Sequence, residues 1–525
     1  MFGTRTSAFL KLSKRDLKYD LPASIVVFLV ALPLCLGIAM ASGAPLFAGV
    51  LTGVIGGIVV ASISGSPLSV SGPAAGLTTI VAASIMQLGA YETFLLAVVI
   101  AGAIQLVLGF LKAGMIGNYF PSSVIIGMLA AIGITIILKQ LPIAFGMTET
   151  HAFEIENGGG IAALTDTVLN TVNWGATIIC FLSLAVLIFW PSIKGLNKVP
   201  APLMVVLIGV GLGFIFQNTS FALNTEGHYV SIPVVSSFNE FLGLFIFPDF
   251  SQIFNKDVWT IAFTIAIVAS LETLLSIEAV DKIDPFKRNS PTNRELLAQG
   301  VGNMTSGFLG GLPLTSVIVR SSANANAGGR TRQSAIFHGL WLLVALVAIP
   351  SLINYIPLGC LAAILLHTGY KLAKPALFQS MFRKGLDQFI PFAVTVLAVV
   401  LTDLLTGVGV GIVVAMFYIL KANMQNAYSF DIKENQDQST AILTLAEEVS
   451  FLNKAPIQQK LYNLPKGVNK VVINGNESKF IDKDVIEVIK DFEQNAMSKG
   501  VDIEVIDVSY KKKSTVKKQK LQKVI

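Results

Sequence analysis

Long apolar runs recur along most of this chain, and this repetition constrains its fold more than any other feature. A run of about 20 apolar residues spans the hydrocarbon core of a bilayer as a single helix. Of the 525 residues, 53% are hydrophobic and 13% are charged, whereas soluble proteins usually carry about 25% charged residues. The sequence therefore predicts a polytopic α-helical membrane protein.

About fourteen segments qualify as spans when two short ones are included. Basic residues cluster before the first segment and recur in several loops, and an even number of spans places all of these on the same side of the membrane. The loop over 146–173, on the opposite side, has acidic residues and no Lys or Arg. Because cytoplasmic loops carry an excess of Lys and Arg, both termini are predicted to be cytoplasmic. The predicted segments cover 21–42, 45–63, 70–88, 92–112, 120–143, 174–193, 201–217, 258–280, 295–311, 314–326, 333–353, 355–373, 386–402 and 405–424.

Two of these segments are interrupted by glycine and proline at matching places in the two halves. One break reads Ser71-Gly-Pro-Ala-Ala-Gly76 and the other reads Gly310-Gly-Leu-Pro-Leu-Thr-Ser316. A helix that starts in mid-membrane directs unpaired N–H groups and partial positive charge at a bound anion. Paired interruptions also point to two inverted repeats, here of seven spans each over 21–217 and 258–424.

Charged residues become frequent from about Ser429, and no later run is long enough to span a membrane. We predict a cytoplasmic N-terminal segment (1–20), a transmembrane domain (21–428), a small cytosolic α/β domain (429–510) and a lysine-rich tail (511–525) that reaches anionic lipid. Within the α/β domain, the patterns predict strands over 440–445, 471–474 and 501–508 and a helix over 482–497.

The sequence has no arrangement typical of an enzyme or of a metal centre. The four histidines are scattered, and Cys35, Cys180 and Cys360 lie in apolar spans as small packing residues. The net charge of +6 comes from basic residues beside the spans. This charge sets membrane orientation, so no nucleic-acid partner is expected.

Several motifs together resemble the sulfate permease (SulP) family of inorganic anion transporters. They are Val30-Ala-Leu-Pro33, Ser71-Gly-Pro73, Asn293-Arg-Glu-Leu-Leu-Ala-Gln-Gly-Val-Gly-Asn303, Arg320-Ser321, Ala327-Gly-Gly-Arg-Thr331 and His338-Gly339. The resemblance implies a membrane homodimer in which a core domain moves against a gate domain, in an elevator-like alternating access. It also implies a STAS-like domain over 429–510, a small inorganic anion such as sulfate or bicarbonate as substrate, and no cofactor.

The candidate anion site combines small residues at the two breaks with one buried cation. An arginine inside an apolar segment is costly, so Arg320 is predicted to face a bound anion; the alternative is a snorkelling or salt-bridged side chain. Small residues let an oxyanion approach the backbone closely. The predicted substrate-binding residues are Pro33, Leu34 and Ile38 in the first span, Ala74, Ala75 and Gly76 in the third, and Val319 and Arg320 in the tenth.

Glu272 lies in the middle of the eighth predicted span, where a carboxyl group is a functional candidate by default. It could take up a proton, or it could bind Na⁺ together with other oxygen ligands. The remaining predicted members of this coupling site are Ser276, Ser316, Val317 and Ile318. Two alternatives stay open: a structural ion pair of Glu272 with Arg320, and anion exchange without a coupling cation.

The leading hypothesis is secondary active anion transport across a plasma membrane, here the bacterial inner membrane. A nucleobase permease of the same architecture is a second possibility, because Glu272 could hydrogen-bond a base. An anion channel or voltage-driven motor is a third. The Arg320 cation and the C-terminal domain speak against the nucleobase permease, whereas saturable uptake against a gradient would exclude the channel or motor.

Overall fold

The computed structural model describes residues 16–115, 121–147, 172–193, 199–223, 227–235, 237–402, 404–425, 428–435, 438–465, 467–497 and 501–509. Most of the predicted N-terminal segment, most of the acidic loop over 146–173, the basic stretch 194–198 and the lysine-rich tail therefore lie outside the described residues. The chain divides into two compact units, Met1–Gly411 and Ile412–Ile525.

The first unit and the helix that leads out of it account for every predicted apolar segment. Prolines mark several helix starts, as at Pro45, Pro121 and Pro200, because proline suits the first turn of a helix. The helices are α1 (Leu17–Ala41), α2 (Leu46–Ile55), α3 (Ala61–Ile63), α4 (Thr78–Leu88), α5 (Tyr91–Phe110), α6 (Ser122–Ala144), α7 (Trp174–Phe189), α8 (Ala201–Phe216), α9 (Phe238–Leu242), α10 (Lys256–Ile283), α11 (Thr292–Leu309), α12 (Ile318–Asn326), α13 (Gln333–Ala348), α14 (Pro350–Ile353), α15 (Leu358–Leu372), α16 (Pro375–Arg383), α17 (Leu386–Leu401) and α18 (Leu404–Gln425).

Within the described residues, seven helical segments are long and apolar enough to cross a membrane alone. The second of these runs through α2 and α3, which a π-helical turn at Gly56–Val60 joins. The third and tenth predicted segments differ from the others, because each starts as a short strand and continues as a short helix. The strands are β1 (Ser71–Pro73) and β2 (Leu314–Ser316), and the helices are α4 and α12.

Glycines bring the helices of this unit into close contact. A Cβ atom added to Gly102 on α5 would lie 2.5 Å from the Met304 backbone nitrogen of α11, and one added to Gly133 on α6 would lie 2.5 Å from the Gly369 oxygen of α15. Without a hydrophobic force between helices in lipid, such small residues allow the backbone approach that gives tight packing. α1 and α2 contact β1, α10 and α11 contact β2, and α5, α12 and α13 pack on these helices. α6 packs with α7, α15 and α17.

The C-terminal unit contains a four-stranded sheet in the order β3-β4-β6-β8 and a separate β5-β7 pair. β3 and β4 are antiparallel, whereas β4, β6 and β8 run parallel, with Leu443 opposite Ile473 and Ile473 opposite Val505. Buried side chains from the sheet and two helices form one core. The elements are β3 (Tyr428–Asn435), β4 (Gln438–Leu445), β5 (Glu448–Val449), α19 (Lys454–Tyr462), β6 (Val468–Asn474), β7 (Phe480–Ile481), α20 (Lys483–Met497) and β8 (Asp502–Ile506).

The predicted strands over 440–445, 471–474 and 501–508 correspond to β4, β6 and β8, and the predicted helix corresponds to α20. β3, α19 and the β5-β7 pair were not predicted from the sequence. α19 has few apolar residues, with Ile457 and Leu461 as its buried pair, so its periodicity is weak.

Candidate functional site

The two interrupted segments meet in an antiparallel strand pair at the centre of the first unit. Ser71 lies opposite Ser316, Gly72 opposite Thr315 and Pro73 opposite Leu314, and all six residues are buried. Glycine and proline stop each preceding helix, which leaves the chain extended where the two segments can pair. Irregular backbone at this depth is tolerated only where other protein groups satisfy it.

Side chains from neighbouring helices supply the hydrogen bonds that β2 needs. The Asn303 amide group accepts a bond from the Leu314 N–H at 2.7 Å and donates one to the Leu314 oxygen at 3.0 Å. The Ser316 N–H donates to the Thr273 hydroxyl oxygen at 3.2 Å. These contacts fix β2 against α11 and α10.

A short helix follows each strand, and neither start carries a side-chain cap. A 3₁₀ turn, Ala75–Leu77, leads from β1 into α4, and Val317 leads from β2 into α12. The first N–H groups of a helix have no partner within it, and they carry partial positive charge. α1 packs against β1, α4 and α12, so both helix starts adjoin the first span. This arrangement can bind an anion.

The predicted substrate-binding residues differ widely in their exposure. Val319 is 39% exposed, and Ala75 is half-buried. The buried members of the set are Pro33, Leu34, Ile38, Ala74 and Gly76. In this conformation, Ala75 and Val319 are therefore the most exposed of the predicted substrate-binding residues.

The Arg320 side chain is fully buried and points away from the exposed side of α12. No described residue forms a hydrogen bond with its Nε, Nη1 or Nη2 atom. A Cβ atom added to Gly72 would overlap Nη1 and would lie 3.1 Å from Cζ, so the guanidinium group lies directly against the backbone of β1. The alternatives of a snorkelling arginine and of an ion pair with Glu272 do not describe this side chain.

The Glu272 carboxyl group lies against the start of the other short helix. A Cβ atom added to Gly76 would lie 2.8 Å from Oε1 and 2.9 Å from Oε2. Oε2 is shielded from solvent and has no hydrogen-bond partner among the described residues. Thr273, the next residue on α10, holds β2, so Glu272 is positioned between the two interrupted segments.

The other predicted coupling residues are less uniform. Ser316 shares a hydrogen bond of 2.6 Å with Ser69 through their hydroxyl groups, and Ser276 is buried one turn after Glu272. Val317 is half-buried, and Ile318 is 39% exposed. The Ser316 hydroxyl thus already has a protein partner.

A buried polar chain behind the strands was missed by the sequence analysis. Gln299 donates to the Ser71 hydroxyl at 2.8 Å and to Glu295 at 3.0 Å, and Ser64 donates to the other Glu295 oxygen at 2.5 Å. Glu295, Gln299 and Asn303 are spaced by four, so they share one face of α11. This spacing can be recognised in the sequence, but the hydrogen-bond partners on β1 and β2 cannot.

Comparisons with known proteins agree with this architecture. The model of the sulfate permease family matches residues 17–395. Similar proteins include the putative sulfate transporter YvdB of Bacillus subtilis (30% identical over 403 residues, 77% of this chain and 73% of that protein). The bicarbonate transporter BicA of Picosynechococcus is 26% identical over 465 residues, 86% of this chain and 79% of that protein.

Solved structures show the same fold. The transmembrane domain of a cyanobacterial BicA has a TM-score of 0.62 and 25% identity, and the match covers 75% of this chain and 98% of that chain. The SLC26A9 structure has a TM-score of 0.72 at 17% identity and covers 94% of this chain and 85% of that chain. The fold is therefore that of an anion-transporter membrane domain followed by a STAS-like domain, and the chain belongs to the sulfate permease family.

Proposed function

We propose that this protein is a secondary active transporter of a small inorganic anion, sulfate or bicarbonate. The anion binds between the helix starts at Ala75 and Val319. The observation that carries this proposal is Arg320, a fully buried cation without a hydrogen-bond partner among the described residues. Burying an unpaired charge is costly, and a negatively charged substrate would offset that cost.

The charge of the site suits an oxyanion bound together with a cation. Each helix start contributes about half an elementary positive charge, and Arg320 adds one, so the sum is about +2. An ionised Glu272 lowers that sum to about +1, whereas a proton or Na⁺ on its carboxyl group restores it. Sulfate would therefore bind best with the coupling cation present, and bicarbonate would need it less.

Glu272 is the proposed coupling group because its carboxyl group lies beside Gly76, where the substrate would bind. A cation at this position would contact the carboxylate and would adjoin the anion bound at the start of α4. Its arrival would raise the affinity for the anion, and by reciprocity the anion would raise the affinity for the cation.

Several finer features belong to the same proposal. The helices around the strand pair form a core domain that moves against the domain of α6, α7, α15 and α17, in an elevator-like alternating access. The protein works as a homodimer in the bacterial plasma membrane with both termini in the cytoplasm. The distribution of basic residues in the loops supports that orientation.

Membership of the sulfate permease family favours an anion over a nucleobase. A channel or motor would not accumulate its anion against a gradient. Proteoliposomes that contain the purified protein separate these cases. Labelled sulfate or bicarbonate is added outside the vesicles, and a Na⁺ or H⁺ gradient is imposed across the membrane. Saturable accumulation is the expected result, and flux that only follows the membrane potential would contradict the proposal.

Two variants test the assignment of roles. Arg320→Ala should insert normally and lose anion uptake, because the substrate then meets only the helix starts. Glu272→Gln should transport without dependence on the coupling cation, because the amide cannot be protonated or charged in the relevant range. Normal uptake by the first variant, or unchanged cation dependence of the second, would move the site or the coupling elsewhere.

A further inference from the structure

The short helix α16 joins α15 to α17 and does not itself cross the membrane. It has nine residues, Pro375–Arg383, so at 1.5 Å per residue its length is roughly half of the hydrocarbon thickness. The Phe378 ring contacts Phe392 of α17, with ring centroids 5.1 Å apart. The Phe382 ring contacts Phe389 of α17 at 5.2 Å. One face of α16 is therefore fixed to a membrane span.

Two basic residues lie at each end of this helix. Lys371 and Lys374 precede it, and Arg383 and Lys384 end it. All four residues are exposed. The segment 371–387 contains these four basic residues and a single acidic one at the start of α17, so its net charge is +3. The two ends of α16 thus present positive charge to their surroundings.

The four cations that flank α16 differ from the basic residues near the loops before α11 and α13. There, Lys282 pairs with Glu278 at 2.7 Å, and Arg288 pairs with Asp284 at 2.7 Å. Arg332 donates to two main-chain oxygen atoms at 3.2 Å. No described residue forms an ion pair or a side-chain hydrogen bond with any of the four cations beside α16. These charges are available to a partner outside the chain.

Exposed apolar side chains accompany the charges. Phe382 is 60% exposed, Leu386 is 59% exposed and Tyr370 is 54% exposed. α13 and α15 carry the chain across the bilayer and back, so α16 lies on the side of the basic loops, which the charge distribution assigns to the cytoplasm. A helix that combines Lys and Arg with exposed Phe and Leu lies in the headgroup region of a leaflet. Because α16 is continuous with two membrane spans, a lipid surface is the partner within its reach.

We propose that the four basic residues flanking α16 bind the phosphate groups of anionic lipids in the cytoplasmic leaflet, while Phe382 and Leu386 enter the acyl region. This inference rests on the proposed orientation of the chain and does not depend on the anion site. For the proposed transport mechanism, its consequence is that lipid bound at α16 holds the domain of α6, α7, α15 and α17 at a constant depth while the core domain moves.

Paired substitutions separate these cations from the general positive charge of the loops. Lys374→Gln combined with Arg383→Gln removes one cation from each end of α16. The matched control is Lys282→Gln combined with Lys287→Gln, because Lys282 pairs with Glu278 and Lys287 donates to a main-chain oxygen. Lys374→Arg combined with Arg383→Lys preserves the charge at both ends and tests whether charge alone is needed.

The assay must report on α16 itself, because anionic lipid also meets other basic segments. The full-length protein is reconstituted in phosphatidylcholine vesicles with a small fraction of photoreactive phosphatidylglycerol or photoreactive phosphatidylcholine, and the cross-linked peptides are mapped by mass spectrometry. Each basic residue near an anionic surface contributes about fivefold to lipid affinity. The ratio of phosphatidylglycerol to phosphatidylcholine labelling over 375–386 should therefore fall at least about tenfold in the Lys374→Gln, Arg383→Gln variant.

The control variant and the charge-preserving variant should keep the labelling ratio of the wild-type protein. An unchanged ratio in the Lys374→Gln, Arg383→Gln variant, or an equal fall in the control, would overturn the inference. Labelling of other loops but not of α16 by either lipid would also overturn it, because protein would then cover the helix. The assay requires no transport, so it is separate from the uptake measurements that test the proposed function.

Discussion

Replacing Gly72 by alanine is the sharpest perturbation of the packing that positions Arg320. The added methyl group would overlap Nη1 and would lie 3.1 Å from Cζ, whereas carbon atoms normally pack at about 3.5–4.0 Å. The guanidinium group or β1 must therefore shift by about 1 Å. The guanidinium group has little room to retreat, since Gly53 of α2 lies close to Nη1.

The expected cost follows from the size of this shift. Overpacking a buried site destabilises a protein by about 1–3 kcal/mol, and a misplacement of about 1 Å at a functional site can lower a rate by about 100-fold. Gly72→Ala should thus insert, melt at a lower temperature and transport at least about tenfold more slowly.

The assay is initial uptake of labelled sulfate or bicarbonate into proteoliposomes, together with thermal unfolding of the purified protein. Gly409→Ala is the matched control, because a Cβ atom added to this exposed helical glycine meets nothing within 4 Å. It should retain uptake and be as stable as the wild-type protein or slightly more so. Wild-type uptake and stability in Gly72→Ala would refute the placement of the guanidinium group against β1.

Three further substitutions test other contacts of the site and its frame. Asn303→Leu removes both hydrogen bonds to the main chain of β2, and each buried group left unpaired costs about 1–3 kcal/mol, so the melting temperature of the purified protein should fall clearly. Gly76→Ala places a Cβ atom 2.8 Å from Oε1 of Glu272. The stimulation of uptake by a cation gradient should fall strongly in this variant, and the KM for the anion should change less. Gly209→Ala would overlap a buried cysteine sulfur on α15 and should destabilise the protein in thermal unfolding, whereas Gly211→Ala, with nothing within 4 Å, should not.

The sequence predicted the positions of the two breaks because glycine and proline act locally on the backbone. The pairing of Ser71 with Ser316 could not be predicted in this way, because register between segments so far apart depends on the tertiary packing around them. The hydrogen bonds from Thr273 and Asn303 to β2 depend on that same packing.

Arg320 and Glu272 were predicted as charges at membrane depth, and that signal is visible in any apolar run. Their partners were not visible, because a sequence cannot indicate that a guanidinium group lies against Gly72 or that a carboxyl group lies against Gly76. His338 was named only as part of a family motif, because an isolated histidine carries no spacing signal for a site.

The proposed anion site lies between the helix start after β1 and the helix start after β2. The most direct test is a structure of the protein with bound selenate, a sulfate analogue whose selenium atom scatters anomalously. We expect one anomalous peak in each protomer between Ala75 and Val319, in front of β1 and β2. A bound selenate elsewhere, with this space filled by side chains, would contradict it.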